Sequence, residues 1–208
     1  MCTVSLHGNS TQSVNDGVSG EDSADESEES KENICRLPMS ADALEVVGPH
    51  EPVMVVDTAC HINVTSEEWM SAHADLLHEE GLRVQSMPLK QTFKFGEGNP
   101  HLSTKRYVIP SGIVGTPVLI RAFTLPQPIP FLGSRACLTS LGFVLNSCTN
   151  TAVFLKLDPH KEAQLCLTHN KHLAVKITEW PREGFPRNAD DWPERPRDEV
   201  TLHAQGNR

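Results

Sequence analysis

Before Leu37 the chain has almost no large apolar side chains, and Ser, Asp and Glu dominate. Such a stretch cannot bury enough surface to offset the entropy of ordering it, so residues 1–47 are expected to be an acidic disordered tail. The pattern then changes. Val53-Met54-Val55-Val56 is apolar at four successive positions and runs into Asp57-Thr58-Ala59-Cys60, as a strand buried on both faces would. His61-Ile62-Asn63-Val64 alternates as a short second strand. Thr65-Ser66-Glu67-Glu68 reads as a capping box with Thr65 as the cap. Trp69, Ala72, Leu76 and Leu77 follow at helical spacing and Gly81 supplies the stop, which predicts a helix over 66–80.

From Gln91 onward the chain reads as strands. Thr92-Phe93-Lys94-Phe95 alternates and Gly96-Glu97-Gly98-Asn99-Pro100 breaks it with hairpin-tip residues. Strands are expected from Leu102 to Ile109, from Val118 to Phe123 and from Pro128 to Gly133, with a turn at Pro110-Ser111-Gly112. Ser134 can cap a short helix through Leu141, which Gly142 ends. Four further strands are expected at Phe143–Leu145, Ala152–Leu157, Ala163–Thr168 and His172–Thr178, with Asp158-Pro159-His160-Lys161 as a turn. Many short strands with frequent turns predict a mainly β, closed or nearly closed domain over residues 50–178. Residues 179–208 are rich in Pro and charge and carry two similar words, Trp180-Pro181 and Trp192-Pro193. They are expected as an unstructured tail whose Trp side chains can dock.

The net charge of −9 leaves no basic footprint for nucleic acid. Most of that charge sits in residues 1–36, so the remainder is close to neutral. No apolar run approaches the roughly 18–20 residues of a membrane span, and Met1 to Ser10 lacks the layout of a signal peptide. An intracellular location, cytoplasmic or nuclear, is therefore expected, with the six cysteines as free or buried thiols.

The candidate chemistry centres on Asp57. Ending a buried strand on a carboxyl costs desolvation energy, which suits proton chemistry; a strand that simply meets the surface in an Asp-Thr turn would look the same. The order of features downstream resembles the retropepsin family, the single-domain aspartic proteases of retroviruses and retrotransposons. Val55-Val56-Asp57-Thr58-Ala59-Cys60 resembles the family's apolar-apolar-Asp-Thr/Ser-Gly-Ala. Phe95-Gly96-Glu97-Gly98-Asn99 resembles its flap hairpin. Phe131-Leu132-Gly133-Ser134-Arg135 resembles its apolar-apolar-Gly followed by Arg, and Leu141-Gly142-Phe143-Val144-Leu145-Asn146 its helix end and next strand. Lys171-His172-Leu173-Ala174 matches a retrotransposon-derived branch that carries Asp-Thr-Ala-Cys.

The resemblance covers about residues 55–178 and implies a closed retropepsin-type barrel with one inserted helix and a short C-terminal helix. It implies Asp57 as the catalytic acid, Thr58 as a brace across a dimer and Ala59 as backbone near the substrate. A flap of Phe95, Gly96, Glu97 and Gly98 would close over an extended polypeptide, with Phe93, Phe95, Ile113 and Val114 as pocket walls. The chain has one such acid motif, and hydrolysis by this route needs two carboxyls around one water, so a homodimer is expected. No cofactor, metal, nucleic acid or membrane enters this reading. Three departures stand out: Ala59 replaces the family's Gly, Ser134 is inserted before Arg135, and the helix is an addition. The competing function is a protease fold that no longer cuts and serves in dimerisation or peptide binding. Two other chemistries compete with it: zinc on Cys166, His169 and His172, and a Cys60–His61 pair, whose adjacent side chains on a strand would point to opposite faces.

Overall fold

A computed structural model describes residues 44–186 and 199–202, so the acidic stretch up to residue 43 and the Trp192-Pro193 word lie outside the described residues. The fold is mixed and mainly β, with two helices among the described residues. In chain order the strands are β1 Val46–Val47, β2 Val53–Val56, β3 Val64–Ser66, β4 Gln85–Phe93, β5 His101–Ile113, β6 Thr116–Leu125 and β7 Leu132–Gly133. They continue as β8 Phe143–Asn146, β9 Thr151–Phe154, β10 Asp158–Gln164, β11 Cys166–Thr168, β12 Leu173–Lys176 and β13 Val200–Leu202; α1 spans Glu67–Glu79 and α2 spans Arg135–Leu141.

The apolar run of β2 is interior because it has a strand on each side and packing on both faces. It lies between β12, antiparallel, and β7, parallel, in a sheet ordered β1-β11-β12-β2-β7-β3-β6-β5-β4, with β13 also on β6. A second sheet is ordered β10-β9-β8. The large sheet curls, because Gly112 in β5 bridges Thr178 just beyond β12 and its N–H donates to the carbonyl of Ile177 at 2.8 Å. Met54, Trp69, Ile109, Ile120, Phe131, Leu141 and Ile177 fill the principal core.

Helix α1 begins one residue later than its sequence suggests. The pairing with β6 runs through Thr65 to Ser66, so Ser66, its last residue, becomes the cap and its Oγ accepts the Trp69 N–H at 3.0 Å. Its buried face is Trp69, Met70, His73 and Leu77, with Ala72 exposed and Leu76 only half-buried. Trp69 fixes that face: its ring lies 4.9 Å from Phe131 and its Nε1 donates to the Glu51 carbonyl at 3.1 Å. Ser66→Ala should cost about 1 kcal/mol in a urea melt, the usual worth of a cap. A loss below about 0.3 kcal/mol would remove Ser66 from that role.

Several expected turns and ends move. Asn63 precedes the short β3 rather than lying within a strand from His61, and β4 begins at Gln85 rather than near Gln91. Pro110-Ser111-Gly112 continues β5, and the chain turns instead at Val114 and Gly115, both at positive φ. Beyond Val108 the strand has lost β4 as a neighbour, and a proline is tolerated on such an edge. Asp158 opens β10 instead of a turn; a bulge between Asp158 and Glu162 absorbs the proline, with the His160 N–H on Asp158 Oδ1 at 3.0 Å. The stretch expected as an unstructured C-terminal tail contains β13, and Trp180 packs on the core beside Phe185. Val46–Val47, within the expected N-terminal tail, pairs with β11. Helix α2 follows its sequence: Ser134 Oγ caps Cys137 N–H at 3.2 Å and Gly142 ends it in the left-handed conformation. No helix among the described residues is long and apolar enough to cross a membrane.

Candidate active site

Strands β2 and β7 run side by side in the same direction, so Asp57 and the Gly133-Ser134-Arg135 segment leave the sheet at the same end. Ladder bonds continue past the strand ends: Val55 N–H donates to Phe131 O at 2.8 Å and Asp57 N–H to Gly133 O at 3.1 Å. The loop closes on its own acid, with the N–H groups of Ala59 and Cys60 donating to Asp57 Oδ1 at 2.9 and 3.2 Å. Asp57 is half-buried while Thr58 and Ala59 are exposed.

Glycine at 133 lets the two strands lie this close. A Cβ there would stand 2.6 Å from Met54 Cγ and Sδ and 3.1 Å from the Val55 carbonyl oxygen. Met54 is fully enclosed, so it can yield only by pressing on its own core neighbours. Gly133→Ala should therefore cost about 2 kcal/mol of stability, as overpacking does, and displace the carbonyl that holds Asp57. Equal urea midpoints for the variant and the parent would contradict this packing.

The far end of the loop is tied down by Asn63, which is fully buried. Its Oδ1 accepts the Ser134 N–H at 2.7 Å and its Nδ2 donates to Arg121 O at 2.9 Å. Arg135 N–H donates to Cys60 O at 2.9 Å. Ser134 thus both caps α2 and meets Asn63, and the Arg135 side chain is left exposed.

The β4–β5 hairpin carries the glycine pair. Gly96 has φ +54° and Gly98 N–H closes the tip on Phe95 O at 3.0 Å. Phe95 stacks on Phe93 at 6.4 Å, and Phe93 meets Phe123 edge-on at 5.7 Å. A cleft of about 420 Å³ is lined by Asp57, Ala59, Cys60, Phe93, Phe95 and Gly96, among others. The acid and the hairpin predicted to cover it therefore share one space. Glu97 and Gly98 are exposed at the tip and outside its lining. Ile113 and Val114, expected as pocket walls, are buried in the principal core, where Phe131 also lies; Leu132 is half-buried.

Ala59 does not occupy a glycine conformation. The non-glycine residues at positive φ among those described are Val114, Asn150 and Lys171, so the methyl group at 59 carries no left-handed strain. Cys60 is no thiolate. Burial pushes its thiol up, backbone hydrogen bonding at Ile62 opposes this, and the charges of Asp57 and Glu199 raise it further; as a thiol, Sγ donates to the Ile62 carbonyl at 2.9 Å. Among the described residues no three His, Cys, Asp or Glu side chains are grouped to hold a metal, and Cys166 Sγ donates to Ala174 O at 3.3 Å.

Two residues of the site's frame have no clear signature in the sequence. Asn63 alternates with Ile62 and Val64 and so reads as facing solvent, yet it is interior. Glu199 lies in the Pro-rich stretch, where the only local sign of order is the Val200-Thr201-Leu202 alternation. No family model, curated protein or solved structure matches the chain.

Proposed function

We propose that this chain is an aspartic endopeptidase of the retropepsin type and retrotransposon origin, acting as a homodimer on extended polypeptide. The observation that supports this most directly is the shared cleft: Asp57, fixed by Gly133 at the ends of two parallel strands, faces the hairpin residues Phe95 and Gly96. On this reading the curled sheet is the family's barrel, and the β4–β5 hairpin is its flap.

In the dimer the two Asp57 carboxyls share one proton, since like charges about 3 Å apart do not both ionise. The ionised carboxylate takes a proton from the water as its oxygen attacks the peptide carbonyl carbon. The protonated carboxyl gives its proton to the carbonyl oxygen. The tetrahedral diol then collapses: the first carboxyl gives the water's proton to the nitrogen, the C–N bond breaks and the amine leaves, and a diol hydroxyl returns its proton to the other carboxylate, which frees a carboxylic acid and leaves the dyad with one proton. Thr58 is exposed and available to brace the partner's loop, while backbone of the hairpin adds to the substrate as a neighbouring strand would.

Incubation of the full chain with a mixed peptide library between pH 4 and 7 tests the reading. Cleavage should appear, should be blocked by a statine-type inhibitor, and should lose specific activity on dilution through the dimer dissociation constant. A dimer that cuts nothing at any pH would leave the binding or dimerisation function instead.

A further inference from the structure

Glu199 sits far along the chain from the candidate site, yet its side chain is 11% exposed and both of its oxygens are used. Oε1 accepts Arg106 Nη2 at 2.7 Å, and that guanidinium, itself 5% exposed, lies 5.4 Å from the centre of the Phe123 ring. Oε2 accepts the backbone N–H of Asn63 at 2.9 Å. The Glu199 carbonyl takes Arg121 N–H at 2.8 Å, and β13 then pairs with β6 from Ile120 to Val118. Thr201 Oγ1 completes the seat by accepting Arg121 Nη1 at 2.7 Å. Val200 enters the principal core, and β13 lies beside α2.

These bonds form a continuous path. Glu199 holds the Asn63 backbone, Asn63 Oδ1 holds Ser134, the neighbouring Gly133 carbonyl holds Asp57, and Arg135 holds Cys60. Every bond in the path is between 2.7 and 3.1 Å. A carboxylate bond is stronger than a neutral one, so its end of the path is firm.

We propose that Glu199 is a positioning residue for the Asp57 loop, and that residues 199–202 form a strap whose docking on β6 fixes the floor of the catalytic cleft. The proposal rests on the reading of Asp57 as catalytic. It makes the C-terminal segment part of the working domain.

Glu199→Gln in the full chain keeps the shape and loses the charge. Amide exchange should accelerate about tenfold at Ala59, Cys60, Asn63 and Ser134, with β9 and β10 unchanged. In peptidase assays normalised to sites titrated by a statine-type inhibitor, kcat should fall about tenfold with KM within twofold, as misplacement of a reacting group does. Ser66→Ala is the control for general destabilisation: it should leave kcat and KM at their parent values and raise exchange evenly, by about fivefold, with β9 and β10 included. Unchanged exchange at residues 57–63 in Glu199→Gln, or acceleration spread evenly into β9 and β10, would overturn the strap. If the parent chain cuts no peptide, the exchange readout still decides the strap, and only the reading of Asp57 is lost.

Discussion

Asp57→Asn should abolish peptide cleavage, lowering kcat by about 10⁴-fold, the upper range for loss of a positioned acid–base group. The substitution is nearly isosteric. An amide oxygen can still accept the N–H groups of Ala59 and Cys60 that Asp57 Oδ1 now receives, and the Gly133 bond uses only backbone. Loop geometry, folding and dimerisation should therefore survive while the proton acceptor is removed. Mixing sharpens the test. If two Asp57 side chains make one site, random pairing of parent with an equal amount of Asp57→Asn leaves about half of the parent chains in active dimers. Activity per parent chain should fall to about that half after subunit exchange. Activity that ignores the mixing would place the whole reaction within one chain and sink the two-carboxyl mechanism.

The parts of this fold written locally in the sequence are those with a single physical solution. Four apolar residues in a row allow little but an interior strand, and β2 is one. Ser134 before an apolar turn and Gly142 after it allow little but a capped helix, and α2 has those ends. The hairpin glycines also stand at a tip. What the sequence leaves open is decided by partners distant along the chain. Thr65 and Ser66 both look like caps, and both pair with β6; Ser66, where that pairing ends, is the one that caps α1. Pro110 marks a turn until the pairing of β4 with β5 stops at Val108 and leaves an edge that a proline can occupy. The cleft is half legible: Asp57, Phe95 and Gly96 are marked by motif, whereas Asn63 acquires its meaning from Ser134, Arg121 and Glu199, all remote in sequence. Ala59 shows the reverse case. Alanine where the resembled family has Gly would bring strain only at positive φ, and Ala59 is not among the described residues found there.

His73→Phe should remove an acid weakness from the domain. His73 is 2% exposed on the inner face of α1, its ring stacked 4.7 Å from Trp69. Neither ring nitrogen has a hydrogen-bond partner among the described residues, and burial lowers its pKa from 6.5 to about 4. Between pH 6.5 and about 4 the unfolded chain therefore binds a proton at this ring and the folded chain does not. Stability from the neutral imidazole is complete above pH 6.5 and is lost as pH falls through that window. The loss approaches roughly 3 kcal/mol at pH 4. Glu199 works in the opposite sense: burial lifts its carboxyl above the ordinary glutamate range, against Asn63 N–H and the charges of Arg106 and Arg121. Its ionisation thus costs stability as pH rises. A single pH profile mixes the two, but the difference between parent and His73→Phe isolates the histidine. A phenyl ring keeps the stack on Trp69 and cannot titrate, so the fall in urea-unfolding free energy from pH 7 to 4 should shrink by roughly 3 kcal/mol. Equal falls in both proteins would show that the ring is solvated or protonated in the folded chain. The result bears directly on the peptidase assay, because an aspartic dyad is sought in the same acid window where His73 weakens the fold. If cleavage by the parent declines below pH 5 and cleavage by His73→Phe does not, that acid limb reports unfolding around α1 rather than the chemistry of cleavage.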